Sequence, residues 1–261
     1  MIKAIFFDID GTLVSFSTHQ IPESARQALF ALRQKGIRLF IATGRAPCNL
    51  SILKKCIELD FDGYVMMNGQ YCLAGNTVIR EAHLPDEAIR QVIPYLEREN
   101  IACNFVDLNT VLLNLVNDDV RRLAALLKLP GPESRLGDLG YVLTHPIYQL
   151  SAYIPEEREE ALLAHLPGCK SARWHESFTD IIPAEGGKPR GMDAMLAHFG
   201  LTLEESMAFG DGGNDLDMLA HAFIGVAMGN AGDKTKAAAD YVTDDVDHDG
   251  ILNALTHFGI L

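Results

Sequence analysis

Two rhythms of apolar and polar positions alternate along the chain. Ile2-Lys3-Ala4-Ile5-Phe6-Phe7 is a near-continuous apolar run. Such runs mark strands buried on both faces, so a strand is expected over residues 2–8. Ala25, Ala28, Leu29 and Leu32 then recur at helical spacing, and Gly36 follows as a stop, which predicts a helix over residues 22–35. Ile37-Arg38-Leu39-Phe40-Ile41-Ala42 reads as a second strand, residues 47–58 as a helix, and Tyr64-Val65-Met66-Met67 as a third strand. The last quarter resumes this rhythm. Helices are expected over residues 191–199, near 214–221, near 232–239 and over 251–258, with strands at 207–209, 224–227 and 241–242. Strands that alternate with helices imply a parallel sheet with right-handed crossovers.

The middle of the chain breaks the rhythm. Residues 86–99, 118–128 and 156–165 have helical spacing, whereas 101–106, 111–115, 147–154 and 169–174 read as strands. Turns fall near Pro130-Gly131-Pro132 and Pro167-Gly168. The pattern predicts a small α+β insert with an antiparallel sheet carrying helices on one side. The whole reads as an α/β, doubly wound parallel sheet formed by residues 1–81 and 185–261, interrupted by an inserted domain over 82–184.

Candidate chemistry sits where the strands end. Asp8-Ile9-Asp10-Gly11-Thr12 closes the first strand, and side chains two apart in a strand share one side. Two carboxylates so close repel unless a cation or proton intervenes, so the pair calls for a hard metal, for acid/base chemistry, or for both. Thr43-Gly44-Arg45 follows the second strand, and its hydroxyl and backbone N–H groups suit a phosphate. Lys188 in Glu185-Gly186-Gly187-Lys188-Pro189-Arg190-Gly191 precedes a helix and offers a compact positive charge for a phosphoryl group. Gly210-Asp211-Gly212-Gly213-Asn214-Asp215 again follows a strand and supplies oxygen ligands for a hard cation.

Composition narrows the partners. The net charge is −13, and no basic stripe breaks it, which argues against nucleic acid and anionic membrane as partners. Five cysteines (Cys48, Cys56, Cys72, Cys103, Cys169) are scattered without a Cys-x-x-Cys pair, which fits neither a disulfide framework nor a zinc knuckle and suits a reducing compartment. No signal-peptide pattern opens the chain, and no apolar run approaches a membrane span. A cytoplasmic protein is therefore expected, as a monomer or small homo-oligomer.

These motifs together resemble the haloacid dehalogenase (HAD) superfamily of phosphotransferases and, within it, the Cof-type sugar phosphatases. The likeness runs over nearly the whole chain. Asn68-Gly69 and Gly225-Val226-Ala227-Met228-Gly229-Asn230 also look like that subfamily. One departure is Pro189-Arg190, where many members carry glycine directly after the lysine.

The resemblance implies a Rossmann-like core and a set of roles. Asp8 would be the nucleophile, forming an aspartyl-phosphate, and Asp10 the general acid/base. Mg2+ would be held by Asp8, the backbone carbonyl of Asp10, and Asp211. Thr43, backbone N–H groups near Ile9 and Gly44, Lys188 and Asn214 would hold phosphoryl oxygens, with Asp215 orienting Lys188 or a metal-bound water. About 32 positions separate Gly11 from Thr43, too few for a domain, whereas about 145 separate Thr43 from Lys188, far more than one crossover needs. The insert therefore matches the family's cap placed between its second and third motifs. Trp174, His175 and Phe178 are its candidate site-facing residues. The expected activity is hydrolysis of small phosphorylated metabolites such as sugar phosphates. The alternatives are a phosphomutase, or a phospho-accepting module of the receiver type.

Overall fold

A computed structural model describes residues 1–51, 53, 59–126 and 131–261. The chain divides into two compact units, one of residues 1–45, 49–81 and 187–261, the other of residues 46–48 and 82–186.

The first unit is built on eight strands. In chain order these are β1 (Ala4–Phe7), β2 (Arg38–Ala42), β3 (Gly63–Met66), β4 (Tyr71–Ala74), β5 (Thr77–Glu81), and later in the chain β11 (Ser206–Gly210), β12 (Ile224–Ala227) and β13 (Tyr241–Val242). They lie in the order β13-β12-β11-β1-β2-β3-β4-β5. Every pairing from β13 to β3 is parallel. β4 and β5 add an antiparallel hairpin.

The apolar run at the N-terminus forms the central strand because it can feed two cores at once. Ile5 and Phe7 face one cluster, with Ala25 and Leu29 of α1 (Glu23–Gln34) and Ile251 and Leu255 of the last helix, α9 (Gly250–His257). Ala4 and Phe6 face the other, with Met192 and Met195 of α6 (Lys188–His198) and Met218 and Leu219 of α7 (Leu216–His221). Helices thus cover both faces, and every residue of β1 is buried. Phe6 stacks on Phe40 and Phe7 on Phe209, so aromatic rings tie β1 to both neighbours.

The second unit holds a five-stranded sheet in the order β7-β6-β8-β10-β9. Its strands are β6 (Cys103–Val106), β7 (Val111–Leu113), β8 (Gln149–Ala152), β9 (Cys169–His175) and β10 (Phe178–Pro183), all paired antiparallel. α2 (Asp86–Arg98) and α5 (Glu159–Leu163) pack on Phe105, Leu150 and Ile181. α3 (Asp118–Leu126) instead joins a smaller cluster with Ala102, Tyr153 and Phe178. Ala152 and Tyr153 are adjacent yet belong to different clusters, because successive side chains leave opposite faces. The expectation of helices on one side only is corrected accordingly.

Other differences are local. The hairpin β4–β5 and the strand β10 were not foreseen, nor was the short α4 (Leu139–Val142). The expected third strand ends at Met66, because Met67 takes a left-handed conformation. Of the helix expected over 47–58, residues 52 and 54–58 lie outside the described residues and Pro47–Asn49 forms a short 3-10 turn; residues 127–128 of the helix expected over 118–128, Cys56 and Pro130 also lie outside them. Cys48, Cys72, Cys103 and Cys169 are free thiols. Among the described residues no helix is long and apolar enough to cross a membrane.

Candidate active site

The strand order makes the site. β1 lies between β2 and β11, with Phe7 level with Ile41 and with Phe209. Chain connections leave β1 in opposite directions on its two sides, and open α/β sheets bind ligands in the crevice outside the strand ends at such a switch point. Asp8, Thr43 and Asp211 emerge there, each one residue past the end of its strand.

Lys188 joins these ends. It is the first residue of α6, three positions earlier than the helical pattern indicated. Its side chain is wholly buried, and Nζ donates to Asp8 Oδ1 (2.7 Å), Asp215 Oδ1 (2.5 Å) and the backbone oxygen of Ala42 (2.7 Å). Three acceptors satisfy the three ammonium hydrogens. Pro189 falls in the first helical turn, where a missing N–H costs nothing, so the departure at Pro189-Arg190 leaves the lysine in reach. Gly191 lets α6 lie against the sheet: a Cβ there would come within 2.3 Å of Val65 Cγ1 and 3.1 Å of Cys72 Sγ.

Asp215 is committed to orienting its neighbours. Oδ2 accepts from the backbone N–H of Asp211 (3.0 Å) and Gly212 (2.9 Å), while Oδ1 holds Lys188. Asp211 accepts from Thr12 Oγ1 at 2.7 Å and from Asn230 Nδ2 at 3.1 Å. Gly11 permits this approach, since a Cβ there would lie 2.1 Å from Asp211 Oδ2, and its φ of +88° suits glycine.

Arg45 grips Asp10 through two parallel hydrogen bonds, Nε to Oδ2 and Nη2 to Oδ1, each 2.7 Å. Thr43 is buried, and its Oγ1 accepts from the Arg45 N–H, which orients the hydroxyl to donate elsewhere. Asn214 Nδ2 donates to Asn68 Oδ1 at 2.9 Å. Ile9 is buried in the core, so only its backbone can serve a ligand. Backbone N–H donors at Gly44 lie in the same loop as Thr43.

The structure therefore gathers Asp8, Asp10, Thr43, Lys188, Asp211 and Asn214 at neighbouring strand ends, with Asp215 tied to Lys188. Sequence reasoning missed Arg45, Asn68 and Asn230 as site residues, although all three lie in quoted motifs. Their partners are 35, 146 and 19 residues away in the chain, which no local pattern reveals. In the second unit Trp174, His175 and Phe178 form one aromatic cluster, with Trp174 edge-on to Phe178 at 4.8 Å and His175 stacked on it at 5.3 Å.

Negative charge exceeds positive charge here, and the titration behaviour follows. Burial, then the carboxylates of Asp215, Asp211 and Asp10, push Asp8 well above the usual carboxylate range, and Lys188 only partly offsets them. Burial and Asp215 push Asp211 up to about 7, although the Thr12 hydrogen bond pulls the other way. Burial alone would discharge Lys188, but Asp215 and Asp8 outweigh it and hold the ammonium charged. Asp8, Asp211 and Asp215 each have a carboxylate oxygen within 4.8 Å of the others. An all-oxygen, electron-rich cluster of this kind fits a hard divalent cation.

Comparison with known proteins agrees with this geometry. The family of haloacid dehalogenase-like hydrolases matches residues 5–255. YkrA of Bacillus subtilis (strain 168) is 35% identical over 260 residues, covering 99% of this chain and 98% of that protein. A HAD subclass IIB sugar phosphatase, BT4131, superposes with a TM-score of 0.91 at 42% identity, over 99% of this chain and 100% of that one. BT1666 of Bacteroides thetaiotaomicron, from a study of phosphatases of the same superfamily, gives a TM-score of 0.92 at 35% identity, over 100% and 96%. The chain thus belongs to the haloacid dehalogenase-like hydrolases of the Cof type, and is a hydrolase of phosphate esters.

Proposed function

We propose that the protein is a Mg2+-dependent phosphatase of small phosphorylated metabolites, sugar phosphates in particular, working in the cytoplasm through an aspartyl-phosphate on Asp8. The observation that carries this reading is the single buried ammonium of Lys188 bridging Asp8 and Asp215 at adjoining strand ends. It leaves Asp8 Oδ2 for phosphorus while fixing the carboxylate through Oδ1. An immobilised nucleophile meets the reacting atom with little entropy left to lose. Thr43, Lys188, Asn214 and backbone N–H groups of Ile9 and Gly44 would hold the phosphoryl oxygens, offering preorganised donors to the charge that builds in the transition state.

Asp10 would protonate the leaving oxygen and then take a proton from the attacking water. Its bidentate pair with Arg45 occupies both carboxylate oxygens, so it must let go of Arg45 to reach the leaving oxygen. Mg2+, held by Asp8, Asp211 and the backbone carbonyl of Asp10, would supply charge screening between carboxylate and phosphate. The raised affinity of Asp8 and Asp211 for protons is the support for that cation.

The sugar-phosphate class rests on the likeness to the sugar phosphatase above. The insert over residues 82–184 is read as the cap that selects the leaving group, and the cytoplasmic setting rests on the free thiols. The test is phosphate release from hexose and pentose phosphates, glycerol phosphate, nucleotides and p-nitrophenyl phosphate, with Mg2+ and with EDTA. Metal-dependent release, fastest from sugar phosphates, is expected. Undiminished release in EDTA would remove the metal. Conversion of glucose 1-phosphate to glucose 6-phosphate without free phosphate would mark a mutase instead.

A further inference from the structure

Met67, Asn68 and Gly69 form a turn in which three successive residues adopt positive φ, 49°, 53° and 92°. Two of them carry side chains, for which this region is unfavourable, and a methionine has no local hydrogen bond to compensate. Such strain persists only where the surroundings over-determine it. Here they do. The Met67 N–H donates to the Arg45 oxygen (3.1 Å), the Asn68 N–H to the Thr43 oxygen (3.0 Å), and Gln70 Nε2 to the Asn68 oxygen (3.2 Å). A Cβ on Gly69 would lie 2.2 Å from the Gly187 oxygen, so the turn is pressed against the residue that precedes Lys188. Met67, Asn68, Gly69 and Gln70 are all buried.

The turn therefore touches the segments that carry Thr43 and Lys188, and Asn68 Oδ1 reaches the third segment by accepting from Asn214 Nδ2, 2.9 Å, across 146 residues. An amide nitrogen has two hydrogens. Asn68 takes one, which fixes the plane of the Asn214 amide and leaves the second hydrogen with a set direction.

We infer that Asn68 is a positioning residue: its carbonyl oxygen aims the amide of Asn214 at a phosphoryl oxygen. This rests on the phosphatase reading, since it needs Asn214 to contact phosphate. A structural role alone makes a different forecast. If Asn68 served only the left-handed turn, glycine would do as well or better, because glycine adopts positive φ freely.

The experiment is Asn68→Gly, Asn214→Ala and the double variant. The readouts are the inhibition constant of inorganic phosphate, kcat and KM for p-nitrophenyl phosphate, and the thermal midpoint. The expected result for Asn68→Gly is an unchanged thermal midpoint with phosphate inhibition weakened about tenfold, the weight of one hydrogen bond to a charged group. The double variant should be no weaker than Asn214→Ala, because the two residues act as one unit. Wild-type inhibition in Asn68→Gly, or losses that multiply in the double variant, would overturn the proposal and leave the phosphatase reading intact. A wild type that neither binds inorganic phosphate nor hydrolyses p-nitrophenyl phosphate would overturn that reading, and this proposal with it.

Discussion

A lysine buried without water can stay charged only if carboxylates surround it, and the converse holds for those carboxylates. Asp8 and Asp215 both lean on Lys188 Nζ, at 2.7 and 2.5 Å. Lys188→Met should leave two buried like charges facing each other and destabilise the fold by about 3–5 kcal/mol, as removal of one partner from a buried pair does. Chemical denaturation of the two proteins measures this; equal midpoints and slopes would show that Lys188 is not the counter-charge. Asp10 presents a separate case, because Arg45 rather than Lys188 holds it. Asp10→Ala should slow turnover by about 10²- to 10⁴-fold, the usual worth of a general acid/base, with thermal stability little changed because the pair is partly exposed. A loss below tenfold in kcat would remove Asp10 from the proton-transfer role.

At the scale of elements, what was legible in the sequence depended on how far each signal was local. β1, α1 and β2 announced themselves, because a doubly buried strand is a plain apolar run and an amphipathic helix carries its own spacing. The β4–β5 hairpin did not, because β5 at the sheet edge is largely exposed and Arg80 and Glu81 dilute its pattern. The start of α6 was misplaced because the glycines before Lys188 read as a loop, whereas Gly187, at φ 120°, turns the chain directly into the helix. Motif spacing exposed Asp8, Asp211 and Lys188. The bidentate Arg45–Asp10 pair and the Asn230 contact to Asp211 arise only when distant strand ends meet. The seating of α6 gives a prediction at this scale. Gly191→Ala would drive a methyl into Val65, at a cost of about 1–3 kcal/mol typical of overpacking, and would shift Lys188 with the helix. Lower thermal stability and lower kcat together are expected; a stable variant with wild-type kcat would show that the helix seat does not set the lysine.

For the whole molecule, the balance of charge at the strand ends couples folding, metal and pH. Asp211 titrates near 7 in the folded protein and near 3.8 without its surroundings, so the fold binds a proton that the unfolded chain has lost. Metal-free stability should therefore be greatest at low pH for this group and fall as pH rises from about 4 to about 7. Mg2+ competes with that proton, so the rise in thermal midpoint that it produces should be small near pH 5 and larger near pH 8. Thermal melts with and without Mg2+ across that range check the sign; an increment that shrinks as pH rises would contradict it. The central claim of the proposed function is that Asp8 attacks phosphorus within this acidic cluster. The most direct test is phosphate release by wild type and by Asp8→Asn, with Mg2+ and after EDTA, alongside a search for a phosphate adduct on the peptide that carries Asp8. The account predicts Mg2+-dependent release by wild type, a transient adduct at Asp8, and no turnover in a folded Asp8→Asn protein. Turnover by Asp8→Asn at the wild-type rate would contradict it.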